Sequence, residues 1–123
     1  MMNKSILTLS FYIALIIPAC RLKESCDTLP SQFSSYDQAV LKIESSDFKI
    51  KEIANTSKSS WIRGASFYSC DGNTGYYILQ TDNQDYLYTN MPYSVWIKFK
   101  NAESLGKFYN ENIKHRYIFQ LTK

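Results

Sequence analysis

Three aromatic-rich, strand-forming runs separated by short polar turns constrain this chain most: Trp61 to Cys70, Tyr76 to Thr81, and Tyr86-Leu87-Tyr88. The first turn, Asp71-Gly72-Asn73-Thr74-Gly75, holds two glycines, and the second, Asp82-Asn83-Gln84-Asp85, is wholly polar. Glycine and Asx residues close such turns because they accept positive φ and bond their own backbone, so the runs predict an antiparallel meander. The period of two puts Tyr86 and Tyr88 on one face. Pro92 suits a first helical position, and Val95, Trp96 and Phe99 line the inner side of the helix it opens. Ala102, Leu105 and Tyr109 continue that side beyond Asn101, where Gly106 marks either a break between two helices or a site of close packing. Tyr117-Ile118-Phe119 predicts a last short strand.

Upstream, Ser35-Tyr36-Asp37-Gln38 fits a capping box, with Ser35 accepting from the third helical amide and Gln38 reaching back. Tyr36, Val40 and Ile43, with Ala39 beside them, share a helical face and predict a helix over 36–46. Phe48-Lys49-Ile50-Lys51 alternates as a half-buried strand does, predicting a strand over 48–55. The fold class that follows is α+β: a small antiparallel meander of roughly three to five strands packed against helices, with an N-terminal helix. At 123 residues, 45% hydrophobic and 15% aromatic, the chain can build one core and is too short for a multidomain enzyme.

The first residues read as an address. Lys4 precedes the uncharged, mostly apolar run Ile6 to Ala19, which is shorter than the ~20 residues a spanning helix needs and contains Pro18. Ile17-Pro18-Ala19-Cys20 resembles the lipobox of bacterial lipoproteins, in which the signal is cut before a cysteine that then carries acyl chains. The expected organisation is a signal peptide over 1–19, a lipid-anchored tether over 20–34 and an exported, envelope-bound domain. Ordinary secretion with Cys20 left as a thiol is the alternative. Setting Cys20 aside leaves Cys26 and Cys70, which either pair in an oxidising compartment or remain two thiols.

Ser60 with Ile62, Tyr86 and Tyr88 as a central YxY, Met91-Pro92, Val95-Trp96, Ala102-x-Ser104-x-Gly106, Phe108-Tyr109-Asn110, Ile113 and Tyr117 form an ordered series. This series resembles the KTSC domain, a module found at the C-terminus of some lysyl-tRNA synthetases and as single-domain bacterial and phage proteins. The family commonly has Val-Pro and Val-Tyr where this chain has Met91-Pro92 and Val95-Trp96, and a Gly in the turn before the YxY that is absent here. The resemblance places the module over 60–123 and makes 35–59 an accessory helix and strand packed on it. It implies no catalytic residues, and a nucleic-acid-binding role has been proposed for the family.

The charged residues name no chemistry of their own. A net charge of +3, from 14 basic and 11 acidic residues, falls short of a dedicated nucleic-acid binder. His115, flanked by Lys114 and Arg116, reads as a surface residue rather than a base, because neighbouring cations oppose its protonation. Asp71, Asp82 and Asp85 sit in turns where Asp bonds the local backbone, and Asp71-Gly72-Asn73 lacks the later ligands of a calcium loop. No CxxC zinc knuckle or phosphate cradle occurs, so neither enzyme activity nor a metal or other cofactor is expected. Trp61, Tyr77, Tyr86 and Tyr88 form either a stacking platform or the core beneath the Pro92 helix. In the platform reading Arg63, Lys98, Lys107, Lys114 and Arg116 supply the cations. The expectation is therefore a non-catalytic interaction module, partnered by a membrane through Cys20 and by an envelope protein. A nucleic-acid-binding module with an aromatic and basic sheet face is the alternative.

Overall fold

Ser69, Asp71 and Thr81 tie the two turns that set the sheet. The computed structural model describes residues 24–122. In it, Asp71 Oδ1 accepts from the amides of Asn73 and Thr74 at 2.8 and 3.0 Å. Gly72 takes φ +82°, which its missing side chain permits, and Ser69 Oγ donates to the Thr74 carbonyl at 2.6 Å. In the second turn Thr81 Oγ1 donates to the Gln84 carbonyl at 2.6 Å and accepts from the Gln84 amide at 3.0 Å. These turns join strands Ile62–Ser69, Thr74–Thr81 and Asp85–Pro92, the expected meander.

In chain order the strands are β1 (Glu24–Ser25), β2 (Ser46–Asp47), β3 (Ile50–Ile53), β4 (Ile62–Ser69), β5 (Thr74–Thr81), β6 (Asp85–Pro92) and β7 (Ile118–Thr122). The helices are α1 (Tyr36–Glu44), α2 (Tyr93–Lys100) and α3 (Leu105–Asn112). β3 to β7 form one five-stranded antiparallel sheet in sequence order. This is an α+β fold.

Alternation along the strands feeds two cores, one on each face of the sheet. Ala65 and Phe67 of β4, Tyr77 and Leu79 of β5, and Tyr88 of β6 pack with Trp96 and Phe99 of α2 and Leu105 and Tyr109 of α3. The intervening Tyr68, Ile78 and Leu87 pack on the opposite face with Tyr36, Ala39 and Ile43 of α1. Burial on both faces explains why the central strands read as continuous apolar runs.

Several boundaries shift for local reasons. α1 starts at the Ser35 cap, whose hydroxyl accepts from the Gln38 amide at 3.1 Å, while Gln38 reaches past the cap to the Ser34 amide at 3.0 Å. It stops at Glu44 rather than 46, because Ser46 bonds the Lys42 carbonyl at 2.7 Å and β2 then pairs in parallel with β1. The strand expected over 48–55 is ordered as β3, and its Ile53, on the sheet edge, is 77% exposed. Pro92 is not the first helical residue: with φ −63° and ψ 139° it ends β6 and caps α2. Its ring fixes only φ, which suits both roles. The apolar side expected beyond Asn101 is split by a new cap, Ser104, which accepts from the Lys107 amide at 3.2 Å. Gly106 lies inside α3 and serves close packing, since a Cβ there would run into the Trp61 indole nitrogen.

The stretch read as tether is docked from Glu24 onward. Cys26 and Cys70 pair with their Cα atoms 5.8 Å apart, and Leu29 and Phe33 pack on the α1-side core, Phe33 edge-on to Tyr76 at 6.3 Å. The expected signal peptide, Cys20 and residues 21–23 lie outside the described residues. Among the described residues no helix is long and apolar enough to cross a membrane.

Candidate functional site

At the end of the sheet remote from the disulfide, the aromatic side chains stop being wholly buried. β4 starts beside Trp61 and finishes beside Cys70, so these two features occupy opposite ends of one strand. The expected tail alternation carries Tyr117 and Phe119 onto the helical face, and α3 brings Tyr109 and Asn110 to the same place. The result is a cleft of about 450 Å³ lined by Trp61, Tyr86, Tyr88, Tyr109, Tyr117 and Phe119, with Asp82, Asn83, Lys114 and His115 among its polar residues. That size falls within the range of small-ligand pockets.

The floor and walls differ in burial. Tyr88 and Tyr109, each 4% exposed, form the floor, and their hydroxyls lie 2.6 Å apart. Trp61, Tyr86 and Tyr117 are half-buried and Phe119 is exposed, so their rings form the walls. Tyr86 packs against Phe119 with ring centroids 5.8 Å apart, and Trp61 meets Tyr109 edge-on at 5.7 Å. Burial pushes the Tyr88 and Tyr109 hydroxyls above the usual tyrosine range. At the rim, Arg63 holds Asp82 in a two-point pair, with Nη2 to Oδ2 at 3.0 Å, and keeps its carboxyl below the usual range.

The residues named from sequence therefore separate. Trp61, Tyr86, Tyr88 and Lys114 meet in the cleft, and Arg63 stands behind Asp82. Tyr77 belongs to no platform: it is fully buried against Tyr88, Trp96 and Phe99, with no bond to its hydroxyl among the described residues. The one face that sequence assigned to all four aromatics is a core over Tyr77 and Tyr88 and a cleft only at its margin. Lys107 lines a separate polar groove of about 750 Å³ beside Ser60 and Lys100. Arg116 bonds the Glu111 carbonyl at 3.1 Å, and Lys98 is exposed on α2. His115 adopts φ 67° on the way into β7 and is exposed. Asp71 is occupied by its own turn, whose Asn73 and Thr74 amides lower its pKa. Ligand atoms of Cys26, Asp27 and Cys70 lie within 4.8 Å of one another, but the disulfide uses both sulfurs.

Sequence reasoning missed two features. Tyr109, Tyr117 and Phe119 complete the cleft; the Tyr117-x-Phe119 spacing was the available signal. The other is Glu52 on β3, which accepts from Tyr93 Oη at 2.7 Å, Trp96 Nε1 at 3.1 Å and Lys100 Nζ at 2.6 Å. Tyr93, Trp96 and Lys100 are at helical spacing, so one carboxylate staples α2 to the edge strand. Its pKa is pushed from 4.5 down to about 2, chiefly by Lys100 and then by Tyr93. A depressed carboxyl stabilises the fold above its unfolded pKa, and that contribution is lost as pH falls through the folded one. Glu52→Gln should cost about 1–3 kcal/mol at neutral pH. The gap between variant and wild type should close between pH 4.5 and 2, as read by urea denaturation across that window. A gap that stays constant with pH would rule out the ionised staple.

Comparison with curated proteins and with solved structures finds no match for this chain. A family model does match within it, from the end of β5 through β6, α2 and α3 to Tyr117. That stretch supplies every lining residue of the cleft named above except Trp61 and Phe119. Residues 80–117 of this chain match the family model of the KTSC domain.

Proposed function

We propose that this chain is a non-catalytic binding module of the bacterial envelope, held at a membrane through an acylated Cys20 and engaging its ligand in the aromatic cleft. The observation that carries the reading is the cleft itself, in which half-buried rings stand over a buried floor. Exposed aromatic surface is unfavourable in water and becomes useful when a ligand covers it. The groups around it are poor acids and bases: Asp82 is bound to Arg63, and burial holds the Tyr88 and Tyr109 hydroxyls protonated. Export is supported by the Ile17-Pro18-Ala19-Cys20 tetrapeptide and by the Cys26–Cys70 pair, which suits an oxidising compartment. The acyl chains would supply about 0.8 kcal/mol per buried CH₂, enough for stable anchoring when more than one is attached.

A second reading, a nucleic-acid-binding module, draws on the meeting of Trp61, Tyr86 and Lys114 in one cleft. Labelled single-stranded DNA and RNA separate the two. The envelope module should show only weak association that vanishes above ~200 mM salt, as a purely phosphate-driven contact does. Affinity that persists there and falls by about 1–3 kcal/mol in Tyr86→Ala would overturn it in favour of base stacking. For the anchor, Cys20→Ser should release the protein from membranes; unchanged retention would contradict acylation.

A further inference from the structure

The cleft's polar groups narrow the chemistry of what can fill it. Lys114 lines the cleft and has no acid partner among the described residues. Asp82, a lining carboxylate, is already matched by Arg63. With that pair neutralised, the rim presents an unmatched positive charge beside the rings. The floor adds a second constraint. When two hydroxyls approach to 2.6 Å, one proton lies between them, and the proton of the accepting hydroxyl must point elsewhere. The Tyr88 and Tyr109 pair thus keeps one spare O–H donor at the base of the cleft. A ring presented to these walls gains stacking and edge contacts worth roughly 0.5–1.5 kcal/mol per aromatic pair beyond area burial.

Resting on the reading of the cleft as the binding site, we propose that it takes a small planar aromatic anion, in its simplest form an aryl carboxylate. The ring lies against Trp61, Tyr86 and Phe119, its acid group faces Lys114, and an acceptor atom of the ligand meets the spare tyrosine proton. An aromatic cation has the same stacking surface but meets Lys114 with like charge and leaves the floor donor unused.

Three probes with one ring system test this on the full chain: indole-3-acetate, neutral indole and cationic tryptamine. Binding is read by chemical-shift changes in labelled protein. Indole-3-acetate should bind best, and Lys114→Gln should weaken it measurably, by up to roughly fivefold, the upper end for an exposed ion pair. The same substitution should leave indole unchanged, and because Lys114 is exposed it should leave the fold intact. Equal binding of all three probes, a preference for tryptamine, or no binding of indole-3-acetate would overturn the proposed ligand class. Failure of the cleft itself is a different result: shifts confined to residues outside it, with affinities unaltered by Tyr86→Ala.

Discussion

Reducing the Cys26–Cys70 bond should strongly destabilise this fold. The bridge closes a sequence separation of 44 residues, and chain-entropy reasoning assigns such a loop about 4 kcal/mol. For a domain of this size each kcal/mol moves Tm by roughly 4–8 °C, so reduction should lower it by roughly 15–30 °C. The effect should be structural as well as thermodynamic. Cys26 pins the arm that carries Leu29 and Phe33 onto the α1-side core, so amide exchange in 24–33 should rise before the sheet opens. Differential scanning calorimetry with and without reductant checks the first expectation, and hydrogen exchange the second. An unchanged Tm would show that the arm is held without the bridge. Two readily alkylated thiols in the native protein would show that there is none.

Trp96→Ala should destabilise by about 3–5 kcal/mol, the usual result of emptying a large buried aromatic site. Trp96 is fully buried at the centre of the helical-face core. It stacks on Phe67 at 5.6 Å and Phe99 at 5.8 Å and meets Tyr77 edge-on at 5.9 Å. It also donates to Glu52, so alanine removes packing and one strut of the staple together. Trp96→Phe separates these: it keeps most of the ring contact and gives up the N–H, and should cost only about 1–2 kcal/mol. Urea denaturation of the three proteins gives the comparison. Similar losses for Phe and Ala would show that the hydrogen bond, rather than the packing, holds α2 in place.

What could be read in the sequence was mainly local. The meander was legible because Asp71, Gly72 and the Asp82 to Asp85 run carry their turn chemistry within a few residues. Pro92 announced a helix but not its own place in it, since φ near −65° serves the end of a strand and the start of a helix alike. Gly106 announced close packing without naming Trp61, which reaches it from another element. Long-range features were hidden for the same reason. Glu52 meets Tyr93, Trp96 and Lys100 across separations of 41 to 48 residues, and nothing in its alternating neighbourhood distinguishes it from a solvated edge residue. The aromatic set could not be sorted from periodicity, because Tyr77 and Tyr86 share a face and differ only in depth. Tyr77 sits under α2, while Tyr86 lies at the margin, where α3 and the tail leave space.

Display of a disulfide-clamped cleft at a membrane is the centre of this account, and its covalent features can be weighed in one experiment. Intact-mass measurement under non-reducing conditions, on protein purified from a bacterial membrane fraction, should give a chain beginning at Cys20, with added acyl mass and two hydrogens lighter than after reduction. A full-length, unacylated product with free thiols would contradict the account and move the nucleic-acid reading to the front.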